Sequence, residues 1–270
     1  MRIDLHVHST ASDGSYAPAA VIQAARAGGL HVLALADHDT VGGVAAAQAA
    51  GAGALHVIPA IELSTHHAGN ELHMLGYYVD PLEAGLLRYS VRASGAREVR
   101  MREMLDRLAA LNITVSFDDV LVAAGPKPDS IGRPHLARAL LQRGYVQSMN
   151  EAFDRFIGDD GPAFVPTRLI TADQAIEIIH QAGGVAVWAH PRQDRMEAEL
   201  PRLQESGLDG VECFRPRVPP PDSDRIAATA RARGLLVTGG SDWHGEWHGR
   251  LGDFFVDRDD VAQFLDVGGI

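Results

Sequence analysis

Residues 2–8, Arg-Ile-Asp-Leu-His-Val-His, and residues 31–39, His-Val-Leu-Ala-Leu-Ala-Asp-His-Asp, decide the fold. Each is a short apolar run ending in histidine and acidic side chains, and an Ala-rich helical stretch lies between them. The same unit recurs along the chain. Strands are predicted at 2–8, 31–36, 55–63, 71–79, 184–189, 210–214 and 235–239, and helices at 18–27, 41–50, 172–181, 197–206 and 222–233. Pro18 suits a first helical turn, and Gly28-Gly29, Gly183-Gly184, Gly207 and Gly234 suit helix ends. Strands alternating with helices of this length predict an α/β fold with a mostly parallel sheet or barrel. Seven strands is one short of the regular eight.

The rhythm breaks between Pro81 and Pro166, where helical periodicity appears at 96–111, 133–144 and 150–157 without a convincing strand pair. About 85 residues is far beyond a usual connection between barrel strands. Residues 81–166 are therefore expected to form an inserted, mostly helical subdomain, with 1–80 and 167–270 forming the barrel. Residues 82–165 carry 11 basic and 11 acidic side chains, which leaves 13 basic and 24 acidic ones in the barrel. Within the insert, Arg88, Arg92, Arg97, Arg100, Arg102 and Arg107 face only Glu98, Glu103 and Asp106. That local positive excess is placed to overhang a site, although a solvated helix face explains most such arginines.

Bulk properties exclude several functions. The 270 residues are 46% hydrophobic, enough for a full core. A lone cysteine, Cys213, rules out an internal disulfide and a Cys-rich zinc module and suits a reducing compartment. The amino terminus reads as a strand rather than a secretion signal, and the apolar stretch 41–55 is too short and too rich in Gly and Ala to span a bilayer. A cytoplasmic location with no membrane partner is expected. The net charge of −11 argues against duplex nucleic acid as a partner. It permits a small phosphorylated substrate, because bound cations would reverse the local sign. All but one of the 24 basic residues are arginine, a bias that a GC-rich coding sequence explains more simply than phosphate binding.

The chemistry lies at the strand ends. Strand one closes on His6 and His8, with Asp13 just beyond, and strand two on Asp37-His38-Asp39. Strand three closes on Glu62, and strand four carries His73. His190, Glu212, and Asp242 with His244 finish the last three. In an α/β barrel these ends gather at one mouth. Residues i and i+2 of a strand point the same way, so His6 and His8 can grip one ion, as can Asp242 and His244. Imidazole with carboxylate suits Zn, Mn or Fe. Each residue alone has an ordinary explanation: Asp39 could cap the following helix, and Glu212 could ligate or stand behind a ligand. His31, His56, His66, His67, His180 and His248 read as ordinary surface or core histidines. Jointly, six of 13 histidines and several acids at strand ends form a metal site, because unpaired burial there would be costly.

Rival chemistries fail on particular residues. A P-loop needs GxxxxGK[ST], yet Lys127 sits in Gly-Pro-Lys-Pro. HExxH and a zinc-deaminase cysteine pair are absent. The strand-end lysine of amidohydrolase barrels is also missing, since Lys127 lies in the insert, whereas Glu62 could bridge two metals instead.

With these residues in order, the chain resembles the PHP superfamily, the polymerase-and-histidinol-phosphatase phosphoesterases. The matching segments are Asp4-Leu5-His6-Val7-His8-Ser9, Asp13-Gly14, Ala36-Asp37-His38-Asp39, Glu62, His73, Ala189-His190-Pro191 and Gly240-Ser241-Asp242-Trp243-His244. They span nearly the whole chain. The resemblance implies a distorted seven-stranded (β/α) barrel and a cluster of three divalent metal sites, two or three of them filled, manganese being expected and zinc or iron the alternatives. It implies a first metal on His6, His8, Glu62 and Asp242, a second on Glu62, His73 and His190, and a third on Asp13, His38 and His244.

The insert segment Ile131-Gly132-Arg133-Pro134-His135-Leu136-Ala137 is similar to one branch of the superfamily. That branch acts on nucleoside 3′,5′-bisphosphates, and some of its members trim short 5′-phosphorylated RNA. The resemblance implies that Arg133 and His135 hold a substrate phosphate beside the catalytic Glu62, Asp242 and His190; Arg97 and Arg100 are further candidates. The competing reading pairs Arg133 with an acid of the insert and starts a helix at His135. The expected reaction is hydrolysis of the 3′-phosphate of a nucleoside 3′,5′-bisphosphate. The alternatives are a 5′→3′ exonuclease on short RNA, a histidinol phosphate phosphatase, and a non-catalytic metal-binding module. The full ligand set and the absence of an attached polymerase argue against the module.

Overall fold

A computed structural model describes all residues except 68, 69, 127 and 168; Lys127, used above to weigh the amidohydrolase pattern, lies outside the described residues. Seven strands follow one another in chain order around a single sheet: β1 (Ile3–Val7), β2 (Val32–Leu35), β3 (His56–His67), β4 (Asn70–Tyr77), β5 (Val185–Trp188), β6 (Gly210–Phe214) and β7 (Leu236–Gly239). Helices α1 (Pro18–Ala27) and α2 (Val44–Gly51) cover the first strands.

The ends of the sheet meet. His8 N–H donates to Trp243 O at 2.9 Å, and Ile3 and Val256 exchange backbone hydrogen bonds at 3.0 and 2.9 Å. The fold is a distorted seven-stranded (β/α) barrel.

The expected parallel order holds except at β4, which is antiparallel to both β3 and β5. Only two residues separate β3 from β4, and a parallel return would need a crossover of a dozen or more. The mouth is therefore built from the carboxyl ends of most strands and the amino-terminal half of β4. Glu62 is correspondingly not a strand end, since β3 runs on to His67.

Alternation along the strands sets the depth of each side chain. On β3, Ile58 and Ala60 belong to an apolar layer, and Glu62 follows on the same face; on β2, Ala34 and Ala36 lead to His38. On reversed β4 the order inverts, with Tyr77 and Leu75 in the apolar layer and His73 above them. Ile61, Leu63 and Met74 face outward, into a second cluster shared with α7 (Ala172–Gln181).

Between β4 and β5 lie α3 (Ala84–Ala110), α4 (Phe117–Ala124), α5 (Arg133–Gln142) and α6 (Met149–Ala152), the last running into a π-turn at Phe153–Ile157. They share a cluster of their own that includes Met104, Leu108, Leu136, Leu140 and Ile157. The first of these helices begins 12 residues earlier than the periodicity predicts, because the Glu83 carboxylate accepts the Leu86 N–H and caps it, while Gly85 and Gly95 weaken the helical signal. Beyond these helices, α7 packs on β4 and β5 and α9 (Pro220–Ala232) on β6 and β7, with α8 (Gln193–Glu205) between them in the chain and α10 (Ala262–Val267) packing on β7. Neither α4 nor α10 is read in the sequence. A Ser116/Asp119 capping box marks the start of the former.

Candidate metal centre

Five imidazoles converge on one carboxylate. Glu62 Oε1 lies 2.9 Å from His73 Nδ1 and 3.0 Å from His190 Nε2, and its Oε2 lies 2.9 Å from His38 Nδ1 and 3.3 Å from Nε2 of both His6 and His8. Asp242 Oδ1 is 3.2 Å from His8 Nε2, and Asp13 Oδ1 is 3.2 Å from His244 Nε2. Three compact groups result: His6, His8, Glu62 and Asp242; His8, Asp13, His38 and His244; and His38, Glu62 and His73. The structure thus brings together all nine side chains expected at metals. It places His8 and His38 each in two groups, where one apiece was expected, and His190 beside Glu62 rather than within a group.

These donors fit cations. His6 Nε2, both ring nitrogens of His8, His38 Nδ1 and Glu62 Oε2 are buried and make no hydrogen bond despite their short separations. Each buried unsatisfied polar atom costs about 1–3 kcal/mol. Five of them around one point form a pattern that ions bound between the lone pairs would resolve. His190 and Asp242 hold positive φ values of 32° and 53°, a strained backbone that aims both side chains inward.

Charge is distributed unevenly over the cluster. Burial disfavours a charged Glu62, but His38, His6 and His73 override it and hold the carboxyl well below its usual range. Burial likewise works against protonated His73 and His244, yet Glu62 raises the first to about 10 and Asp13 and Asp242 the second to about 9. Burial, then His244, lowers His8 to about 3.

A layer of carboxylates behind the cluster was only partly legible. Glu212 Oε1 is 2.9 Å from His6 Nδ1, and its Oε2 accepts the His190 N–H at 2.7 Å, which answers the open question of its place: it stands behind two imidazoles. Asp37 accepts from Ser9 Oγ at 2.7 Å and Ser12 Oγ at 2.6 Å, fixing the loop that carries Asp13. Asp39 caps no helix; it pairs with Arg97 Nε at 2.6 Å and accepts the Ser64 N–H at 2.7 Å. Glu71 lies 3.7 Å from His73 Nε2, a neighbour that i, i+2 spacing on β4 could have flagged.

The ligands floor a cleft of about 280 Å³ whose far wall carries Arg97, Arg100, Arg133 and Phe153 from the helical insert, with Trp247 and His248 at its rim. Arg133 Nη1 donates to Asp159 Oδ1 at 2.7 Å, the insert pairing foreseen as the competing reading. Arg100 Nε donates to Val165 O at 2.6 Å, and its Nη2 is 3.5 Å from Glu71. Burial, opposed by Glu71 and reinforced by Arg133 and Arg97, lowers Arg100 to about 10, so it stays cationic at neutral pH. The Arg97 guanidinium is engaged by Asp39, Ser64 Oγ and Ile131 O. His135 is buried and lowered by that burial to about 4. Its Nδ1 accepts the Gly132 N–H at 3.1 Å, so the proton sits on Nε2, which has no partner among the described residues.

Among the described residues no helix is long and apolar enough to cross a membrane. Residues 4–143 match the PHP domain family. Over 254 residues, 92% of this chain and 88% of the relative, the sequence is 34% identical to the 3′,5′-nucleoside bisphosphate phosphatase of Chromobacterium violaceum. Over 249 residues, 89% of this chain and 84% of the relative, it is 31% identical to the 5′-3′ exoribonuclease Rnm of Escherichia coli (strain K12). A solved structure from Bifidobacterium adolescentis, called a metal-dependent phosphoesterase, superposes with a TM-score of 0.86 at 31% identity, covering 98% of this chain and 95% of its own.

Proposed function

Because the chain belongs to the PHP family and is a metal-dependent phosphoesterase, we propose that it hydrolyses nucleoside 3′,5′-bisphosphates to the nucleoside 5′-phosphate and inorganic phosphate. The observation that carries this reading is that the ligand cluster and the arginines of the insert line one cleft. One wall suits a phosphate at the metals and the other suits a second anionic group. The cleft lies at the lower edge of the roughly 300–1,000 Å³ typical of small-molecule sites.

His6, His8, Glu62 and Asp242 would hold one cation, Glu62, His73 and His190 a second, and Asp13, His38 and His244 a third, with two or three occupied in the working enzyme. The imidazole–carboxylate set suits manganese, with zinc or iron as alternatives. Bound there, divalent cations polarise phosphoryl oxygens and acidify water.

The chain's own groups do the rest. Glu62 Oε1 hydrogen-bonds the rings of His73 and His190, and Glu212 fixes the ring of His6 and the backbone of His190. Arg133 and Arg100, which line the cleft, supply donors for phosphate oxygens. His135 is fully buried outside the cleft lining and accepts the Gly132 N–H, positioning the start of α5 rather than touching substrate. Arg97 steadies the wall from behind, tying the His38–Asp39 loop to the segment that leads into α5. Water adds to phosphorus, the P–O3′ bond breaks, and the 3′-oxygen takes up a proton. No phosphoenzyme is required: Ser9 Oγ is committed to Asp37, and Cys213 is buried in the outer cluster.

Purified protein with added manganese should release phosphate from adenosine 3′,5′-bisphosphate and stop on chelation. Release that persists after complete metal removal would overturn the reading.

A further inference from the structure

A second, larger cleft of about 580 Å³ runs along α3, walled on its other side by Val165, Pro166, Thr167 and Leu169. Arg97 and Arg100 line both clefts, so the two adjoin at that pair. Beyond the junction, Arg92 and Arg107 lie on the same side of α3 as Arg100, roughly 12 and 10.5 Å from it along the axis. Each guanidinium is stapled by one nitrogen to a backbone carbonyl of the returning segment: Arg92 to Leu169, Arg100 to Val165 and Arg107 to Phe164. A guanidinium has five N–H donors, so the staples fix the stems and leave donors for another partner. Two acids line the cleft among the described residues: Asp39, which is paired with Arg97, and Glu103. Between the arginines lies apolar surface from Ala93, Ala96 and Val99, the last of which is 59% exposed.

We propose that this second cleft holds the phosphodiester chain beyond the scissile phosphorus when the substrate is a 5′-phosphorylated single-stranded oligonucleotide. The inference rests on the 3′-phosphatase reading, because the same bond breaks in both substrates. Water adds to phosphorus, the P–O3′ bond opens, and the 3′-oxygen is protonated. With a bisphosphate the phosphorus departs as inorganic phosphate; with an oligonucleotide it departs as the 5′-phosphate of a chain one nucleotide shorter. The remaining chain is attached on the phosphorus side and needs a route away from the metal ligands. Arg100, shared by the two clefts, opens that route. A basic groove interleaved with apolar surface is what a single strand requires for its backbone and base faces.

The test measures kcat/KM on a 5′-phosphorylated pentanucleotide and on adenosine 3′,5′-bisphosphate for the wild type, Arg92→Glu, Arg107→Glu and Val99→Glu. The last adds charge to the groove without removing a staple. In each variant the pentanucleotide value should fall at least about tenfold while the bisphosphate value stays within about twofold. Its salt dependence should also become shallower, by roughly 0.7 in log–log slope for each arginine contact removed. Equal losses on both substrates, or none on the pentanucleotide, would overturn the groove. A wild type that cleaves the bisphosphate and leaves the pentanucleotide intact would overturn the groove and spare the phosphatase reading. Cleavage of the pentanucleotide alone, lost in the variants, would support the groove and refute that reading.

Discussion

Nδ1 of His6 lies 2.9 Å from Oε1 of Glu212, and neither side chain is exposed to solvent. With Nδ1 engaged by Glu212, Nε2 is the nitrogen left to face Glu62 and Asp242, so an acid without a place in any ligand group decides which face of His6 can bind an ion once its proton is displaced.

Glu212→Gln should therefore keep the fold while lowering metal affinity or activity about 10–100-fold. A metal titration beside a far-ultraviolet spectrum checks both halves. Unchanged affinity would remove Glu212 from the account.

Glu62→Gln should act more severely, because Glu62 belongs to two of the three ligand groups. The loss of activity should exceed the roughly 100-fold upper range of an outer-shell change. Elemental analysis should show at least one ion fewer per chain than in the wild type.

Metal binding should release protons. Near neutral pH the metal-free protein holds protons on His6, His73 and His244: against the burial that opposes them, Glu212 and Glu62 hold His6 well above the usual range, and the other two are raised to about 10 and about 9, whereas a ligand imidazole must be neutral. Affinity should accordingly rise as pH increases from 6 toward 9 and fall in acid. Calorimetry in buffers of different ionisation enthalpy would count the released protons; a count of zero at pH 7 would contradict the charge distribution.

The Asp39–Arg97 pair predicts a stability effect. Both side chains are buried, at 1% and 6% exposure, and breaking such a pair from one side costs about 3–5 kcal/mol. Arg97→Met should lower Tm by about 6–20 °C, and adding Asp39→Asn should recover part of that loss. Two additive losses in the double variant would show that the residues are not coupled.

What could be read in the sequence was what local periodicity encodes. Strands that alternate an apolar residue with a ligand, as Leu5-His6-Val7-His8 does, announce both their conformation and their cargo. What could not be read depends on partners distant in the chain. The direction of β4 follows from its pairing with β3 and β5, and its His73 looks the same whichever way the strand runs. Glu212 resembles a ligand until its depth behind His6 is known, and Arg97 resembles a phosphate contact until Asp39, 58 residues earlier, is seen to hold it. In the insert, Gly85 and Gly95 hid the first turns of α3, although Glu83 supplies the cap that offsets them.

The most direct test of the proposed function compares kcat/KM for adenosine 3′,5′-bisphosphate, 3′-AMP and AMP in the manganese-loaded enzyme. The two-anion cleft predicts that the bisphosphate exceeds both monophosphates by at least about tenfold, the value of one charge-assisted phosphate contact. Equal hydrolysis of AMP and the bisphosphate would contradict it.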